Sequence, residues 1–182
     1  MKQIKYLVLG VASLLMLSFK AVEPGKKHNT TLSPAHVLTG KWLNGTFSMS
    51  NWWSYDGKKY IGNPYTRSVA FSFTETGEAE FFMAIKTHTG YCSTEGFTYQ
   101  KGKVKFDDAA QSFTLYPDEG NYRGFYSCAS GSNFDRPAKP EELKAATYYW
   151  SMEKDESGHQ WLVIRFSPDR SAAGSYFKQS SW

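Results

Sequence analysis

Ser151-Met152-Glu153-Lys154 has the Ser-x-x-Lys spacing of serine acyl-enzymes, in which a nucleophilic hydroxyl sits near a lysine. Its companion motifs are absent and it falls in a segment patterned as a strand, so the match is a coincidence of spacing. His28, His36, His88 and His159 are dispersed, and no pair has zinc spacing. Asp107-Asp108, Asp118-Glu119 and Asp155-Glu156 fall at expected turns, where short acids hydrogen-bond their own backbone, and they do not spell a calcium loop. Two acids could meet in space for glycoside hydrolysis, but nothing in the chain selects which two. The sequence thus names no catalytic residue, no metal ligand and no cofactor.

Cys92 and Cys128 are the only cysteines. In an oxidising compartment no reducing pool keeps such a pair apart, so a disulfide is expected. Closing this loop would restrict the unfolded chain by about 3.8 kcal/mol in the loop-entropy model. A reactive thiol with His88 as its base is the alternative, and it would need an electropositive pocket.

Binding chemistry is better represented. Residues 44–67 carry Trp52, Trp53, Tyr55, Tyr60 and Tyr65 among Asn, Ser and Gly. Aromatic rings on a loop can stack on sugars or line a pocket mouth, giving large contact area with few rotatable bonds. A plainer reading continues the first strand to Trp53, turns at Asp56-Gly57-Lys58 and packs the rings as core. Phe71, Phe73, Phe81 or Phe82, Met83 and Trp150 are the candidates for an apolar interior, either as core or as a ligand cage.

The elements that must position these residues follow from composition and period. The chain has 182 residues, enough for one domain and its leader. Aromatics make up 17% and glycine 15 residues, which indicates short strands and turns rather than long helices. Met1 to Lys5 is a basic start and Tyr6 to Phe19 an apolar run, the profile of an export signal ending near Ala21 and too short to span a membrane. Of the 21 basic residues, Lys2, Lys5 and Lys20 fall in that segment, which leaves 18 against 17 acidic residues. So even a balance gives no nucleic-acid footprint. The expected address is periplasmic or secreted, with no integral membrane segment in the mature chain. Residues 22–36 read as a polar tether and residues 37–182 as the folded domain.

Within that domain the pattern has period two. Val69 to Thr74 and Ala79 to Lys86 flank a turn at Glu75-Thr76-Gly77-Glu78. Phe97-Thr98-Tyr99 and Val104-Lys105-Phe106 flank an expected turn at Gln100 to Lys103. Ser112 to Tyr116 is expected to stop at Pro117-Asp118-Glu119-Gly120, and Tyr122 to Ser127 to form the next strand. Thr147 to Met152 and Trp161 to Phe166 flank a turn at Asp155 to Gly158, and Ser175 to Lys178 closes the series. Pro140 to Ala146 reads as the one short helix, after a flexible loop from Ala129 to Lys139. The fold class is therefore all-β, an up-and-down antiparallel β-barrel of about eight to ten strands, since closure hides the apolar face and removes the edges.

Leu38-Thr39-Gly40-Lys41-Trp42 places Gly-x-Trp at the start of the first strand. With Phe71-Ser72-Phe73, Trp150-Ser151-Met152 and a late Tyr176-Phe177-Lys178, the chain resembles the lipocalin-like proteins of the calycin superfamily secreted by bacteria. The resemblance implies a lipocalin-like barrel whose closed end is plugged by Trp42, with Gly40 beside it and Lys178 packed across the indole as a latch; Arg165 is the runner-up for that cation. It departs from the family in placing its helix before the last hairpin. Leu38 to Asn44 also resembles the start of an avidin, yet none of the later avidin ligand residues align, so biotin is not implied. The leading expectation is a secreted, non-enzymatic protein holding a small apolar or amphipathic molecule in the barrel. The alternative is a filled barrel that meets a glycan or protein through Trp52, Trp53, Tyr55 and Tyr60. An enzyme on the same scaffold comes third.

Overall fold

The computed structural model describes residues 36–46, 52–53 and 67–182. Among these, nine strands form: β1 (Gly40–Asn44), β2 (Arg67–Phe73), β3 (Glu78–Thr89), β4 (Cys92–Asp107), β5 (Ser112–Tyr126), β6 (Phe134–Pro137), β7 (Ala146–Lys154), β8 (Gln160–Arg165) and β9 (Ser175–Ser180). Every pairing is antiparallel, and strand follows strand until β9 returns to β1, with Lys41 opposite Ser180 and Leu43 opposite Lys178. The sheet closes in a ring, so the first and last strands satisfy each other's backbone groups. β6 stands outside the ring and extends the far half of β5 through Asn121 to Gly124.

Alternation decides what the ring encloses. Trp42, Val69, Phe71, Phe73, Phe113, Tyr148, Trp150, Leu162, Ile164 and Phe177 form one buried cluster, with Phe81 and Met83 against it. Phe71 lies at its centre, its ring 5.1 Å from Phe81, 5.3 Å from Tyr148 and 5.5 Å from Phe113. Each such fully buried side chain contributes about 1.5–3 kcal/mol relative to exposure. The chain enters β1 from a turn at His36 to Thr39, where the Thr39 amide donates to the His36 carbonyl at 2.7 Å. The Trp42 indole donates to the Leu38 carbonyl at 2.8 Å, and the His36 ring stacks 3.8 Å from Phe106. His36 therefore belongs to the packed body rather than to the tether expected over 22–36. The rest of that tether and the export segment lie outside the described residues.

Several expected boundaries are corrected. No turn interrupts Gln100 to Lys103 or Pro117 to Gly120; β4 and β5 run through both and pair from Thr94–Tyr126 to Asp107–Ser112, with a bulge at Lys101/Gly102. A Cβ at Gly102 would meet the Tyr116 carbonyl oxygen at 2.0 Å, so this glycine marks a close backbone approach, not a reversal. The chain reverses instead beside Gly90 and at Asp108 to Gln111. Pro140 to Ala146 forms only a 3₁₀ turn, Pro140–Glu142, before β7 begins at Ala146. Glu142 reaches back to the Lys139 amide at 2.8 Å and clasps Arg136 through two bonds of 2.8 Å, which fixes the turn without further helix. The stretch expected as a loop, Ala129 to Lys139, holds a second 3₁₀ turn (Ser130–Ser132) and β6.

The ring is also covered on part of its outer surface. β2 is buried along all of Ser68 to Phe73, which an alternating strand with one wet face would not be. Leu43, Ala70, Phe82, Ala84 and Phe97 form a second buried cluster on that outer face, centred on Trp52. Small side chains at Ala70 and Ala84 leave the depth that the Trp52 indole fills.

Candidate functional site

The interior candidates come together as one cluster: Phe71, Phe73 and Trp150 are buried, with Phe81 and Met83 packed on them. Among the described residues these rings pack closely on one another. The cavity that the described residues leave there, bounded by Val69, Phe71, Phe81, Met83, Tyr148 and Phe166 among others, measures about 40 Å³. A water molecule's share of liquid is about 30 Å³ and small-molecule sites run to about 300–1,000 Å³. Among the described residues this space is too small for a ligand of that size.

Phe82, which sequence left interchangeable with Phe81, faces outward and meets Trp52 edge to face at 5.4 Å. Trp52 and Trp53 are helical, not a continuation of β1. Trp52 is buried and also meets Phe97 at 5.7 Å, whereas Trp53 is 52% exposed with its ring 5.3 Å from Tyr99. Tyr55, Tyr60 and Tyr65 lie outside the described residues.

Beside Trp53 a cleft of about 270 Å³ opens on the outer surface. Trp53 and Tyr99 form one wall; Glu119, Gly120, Asn121 and Arg123 of β5 and Asp135 of β6 supply the rest. Strand pairing sets this composition, because Tyr99 lies opposite Asn121 and Arg123 opposite Asp135. Asn121 donates from Nδ2 to Asp135 Oδ1 at 2.9 Å. The Tyr99 hydroxyl donates to Glu80 at 3.0 Å, and burial together with that carboxylate raises the phenol above its ordinary range. Tyr99 therefore offers the cleft a ring rather than an acid.

Arg123 is 5% exposed, with its guanidinium carbon 4.5 Å from the Trp52 ring centroid and 4.8 Å from that of Phe97. It donates through Nη2 to the Trp52 carbonyl and through Nη1 to the Trp53 carbonyl at 3.4 Å. Burial lowers its pKa from the ordinary value, and Asp135 opposes that shift. Arg123 Nε and Asn121 Oδ1 are shielded from solvent and have no hydrogen-bond partner among the described residues.

The latch is a correction. Lys178 is exposed and opposite Leu43, while its neighbour Phe177 is buried with Trp42, so the pleat puts the cation and the indole on opposite faces of the sheet. Arg165, one residue on from the inward Ile164, takes the outer face of the sheet and is buried there, donating to Ser151 at 2.8 Å, to Glu153 at 3.0 Å and to the Ala172 carbonyl at 3.1 Å. Gly40, at φ +116°, does lead into Trp42 as the motif expects.

Cys92 and Cys128 form a disulfide, their Cα atoms 5.4 Å apart, tying the start of β4 to the end of β5. The Ser-x-x-Lys match carries no chemistry: the Ser151 hydroxyl donates to Glu153 at 2.9 Å, and residues three apart on a strand point to opposite faces. Asp107 and Asp155 accept turn amides, from Ala110 at 2.9 Å and from Ser157 at 3.0 Å, whereas Asp118 and Glu119 lie within β5 rather than at a turn. A buried ion pair joins Lys86 of β3 to Glu95 of β4, whose side chain is only 4% exposed; burial pushes the Glu95 carboxyl up to about 7 and lowers Lys86. Among the described residues no helix is long and apolar enough to cross a membrane.

Sequence reasoning found Trp53 but missed Tyr99, Glu119, Asn121, Arg123 and Asp135. The available signal was the run Phe81-Phe82-Met83-Ala84-Ile85, apolar on both faces, which requires a covered outer surface. Comparison with protein families, with curated proteins and with solved structures returns no match to this chain.

Proposed function

We propose that this chain is an exported, non-enzymatic lipocalin-like barrel whose interior is filled and whose outer cleft beside Trp53 binds a glycan. The observation that carries this reading is the pairing of a half-exposed indole with planar polar side chains: Trp53 stands against Tyr99, and Asn121, Asp135 and Glu119 line the same cleft. A sugar ring presents an apolar face that stacks on an indole and a rim of hydroxyls that bond amides and carboxylates. The export profile of residues 1–21, the bridged cysteines and the Gly40-x-Trp42 start support the secreted lipocalin-like assignment.

An apolar or amphipathic ligand inside the ring has about 40 Å³ among the described residues, against 270 Å³ in the outer cleft. The cleft is therefore the better-supported site. A glycan array probed with the purified protein and with Trp53→Ala tests the reading. Binding that falls at least about tenfold in the variant, near 1.4 kcal/mol, supports it; binding equal in both proteins, or no glycan bound by either, rejects it.

A further inference from the structure

The charges around the cleft narrow its ligand. We infer that it selects glycans bearing a protonated amine, and so distinguishes an amino sugar from its N-acetylated form; this rests on the glycan reading above. Glu119 and Asp135 are the carboxylates in the lining, and Arg123 is its one cation among the described residues. The Arg123 side chain is directed to its own support: it is held between the Trp52 and Phe97 rings and gives its terminal N–H groups to the Trp52 and Trp53 carbonyls. Asp135 feels that charge, but the hydrogen bond it accepts is from the neutral Asn121 amide. Glu119 lies 3.5 Å from Lys101, a pair in which both side chains are widely exposed. Such a pair is weak, so an incoming ammonium displaces Lys101 at little cost.

The aromatic wall points the same way. Trp53 and Tyr99 both line the cleft, their rings edge to face at 5.3 Å, and the negative quadrupole of an aromatic face attracts a cation placed over it. Tyr99 cannot offset the acid character of the site, because its hydroxyl is committed to Glu80. A glucosamine unit would stack its ring on Trp53, set its ammonium against Asp135 or Glu119 and leave hydroxyls for Asn121. N-acetylation removes the charge and adds a carbonyl that faces two carboxylates.

The test is isothermal titration of the full mature protein with glucosamine trisaccharide and with its fully N-acetylated counterpart, at pH 6 and at low and high salt. The expected result is an affinity about tenfold higher for the free amine, a preference that shrinks as salt screens it. It should also shrink in Asp135→Asn and Glu119→Gln, exposed changes that leave the fold intact. Equal affinity, a preference for the acetylated sugar, or a preference unmoved by salt and by both variants overturns the amine selectivity. In the first two cases the glycan reading survives. If neither trisaccharide binds but another array glycan does, the selectivity alone falls; if nothing on the array binds, both readings fall.

Discussion

Arg123 stacks its guanidinium 4.5 Å from the centroid of the Trp52 ring and donates a hydrogen bond to the Trp52 carbonyl. One side chain thus fastens both the face and the backbone of the buried indole to β5, and Trp53, the next residue, is thereby set at the cleft.

This relationship should be visible in stability. Trp52→Ala removes a fully buried indole and is expected to cost about 3–5 kcal/mol. Arg123→Lys keeps the charge but loses the planar stack and the fork of donors, for about 1–2 kcal/mol. Urea denaturation of the two variants measures both; an Arg123→Lys midpoint equal to that of the parent protein would separate the guanidinium from the Trp52 anchor.

Lys178→Ala should leave the melting temperature within about a degree, because an exposed substitution away from any special feature falls within about ±0.5 kcal/mol. Phe177→Ala, one residue away but facing Trp42 and Phe71, is expected to cost about 3–5 kcal/mol. Calorimetry on the pair checks the facing of β9, and a large loss at Lys178 would restore the latch.

Glu95 links stability to pH. Its carboxyl titrates near 7 in the folded protein against 4.5 as the ordinary value, so the folded state holds the proton more tightly. Stability from this group is therefore undiminished below about pH 4.5 and declines as pH rises through about 7. The melting temperature should fall by a few degrees between pH 5 and pH 8 through this residue, and Glu95→Gln should flatten that slope. Thermal scans at the two pH values decide it, and parallel slopes in both proteins would refute the assignment.

The bridge between Cys92 and Cys128 spans 36 residues of sequence. A Cys92→Ser/Cys128→Ser double variant is expected to lose up to about 3.8 kcal/mol, mainly through a freer unfolded chain. Comparing urea curves with the reduced parent protein checks that the two losses agree.

Much of this ring was legible in the sequence, and the reasons are local. Period two in Val69 to Phe73 and in Ala79 to Ile85 required paired strands, and Gly77, at φ +77°, marked their turn. Phe71, Phe73, Met83 and Trp150 were interior candidates on period two, while Phe81 and Phe82 stayed interchangeable until the register of β3 separated them. Gly102 misled because glycine signals both reversal and close approach, and only the register of β4 on β5 separates the two. Lys178 misled because order along the chain does not say which face of β9 a residue takes. The cleft was illegible for a deeper reason: Tyr99, Asn121 and Asp135 are neighbours only across three strands, a proximity that pairing creates and spacing does not encode.

The most direct test is an NMR titration of protein labelled with ¹⁵N at tryptophan, using the oligosaccharide that binds best on the array. The account expects the indole resonance of Trp53 to shift with saturation while those of Trp42 and Trp150 stay in place. Shifts at Trp42 and Trp150 with Trp53 unmoved would put the ligand inside the ring and contradict the outer cleft as the binding site.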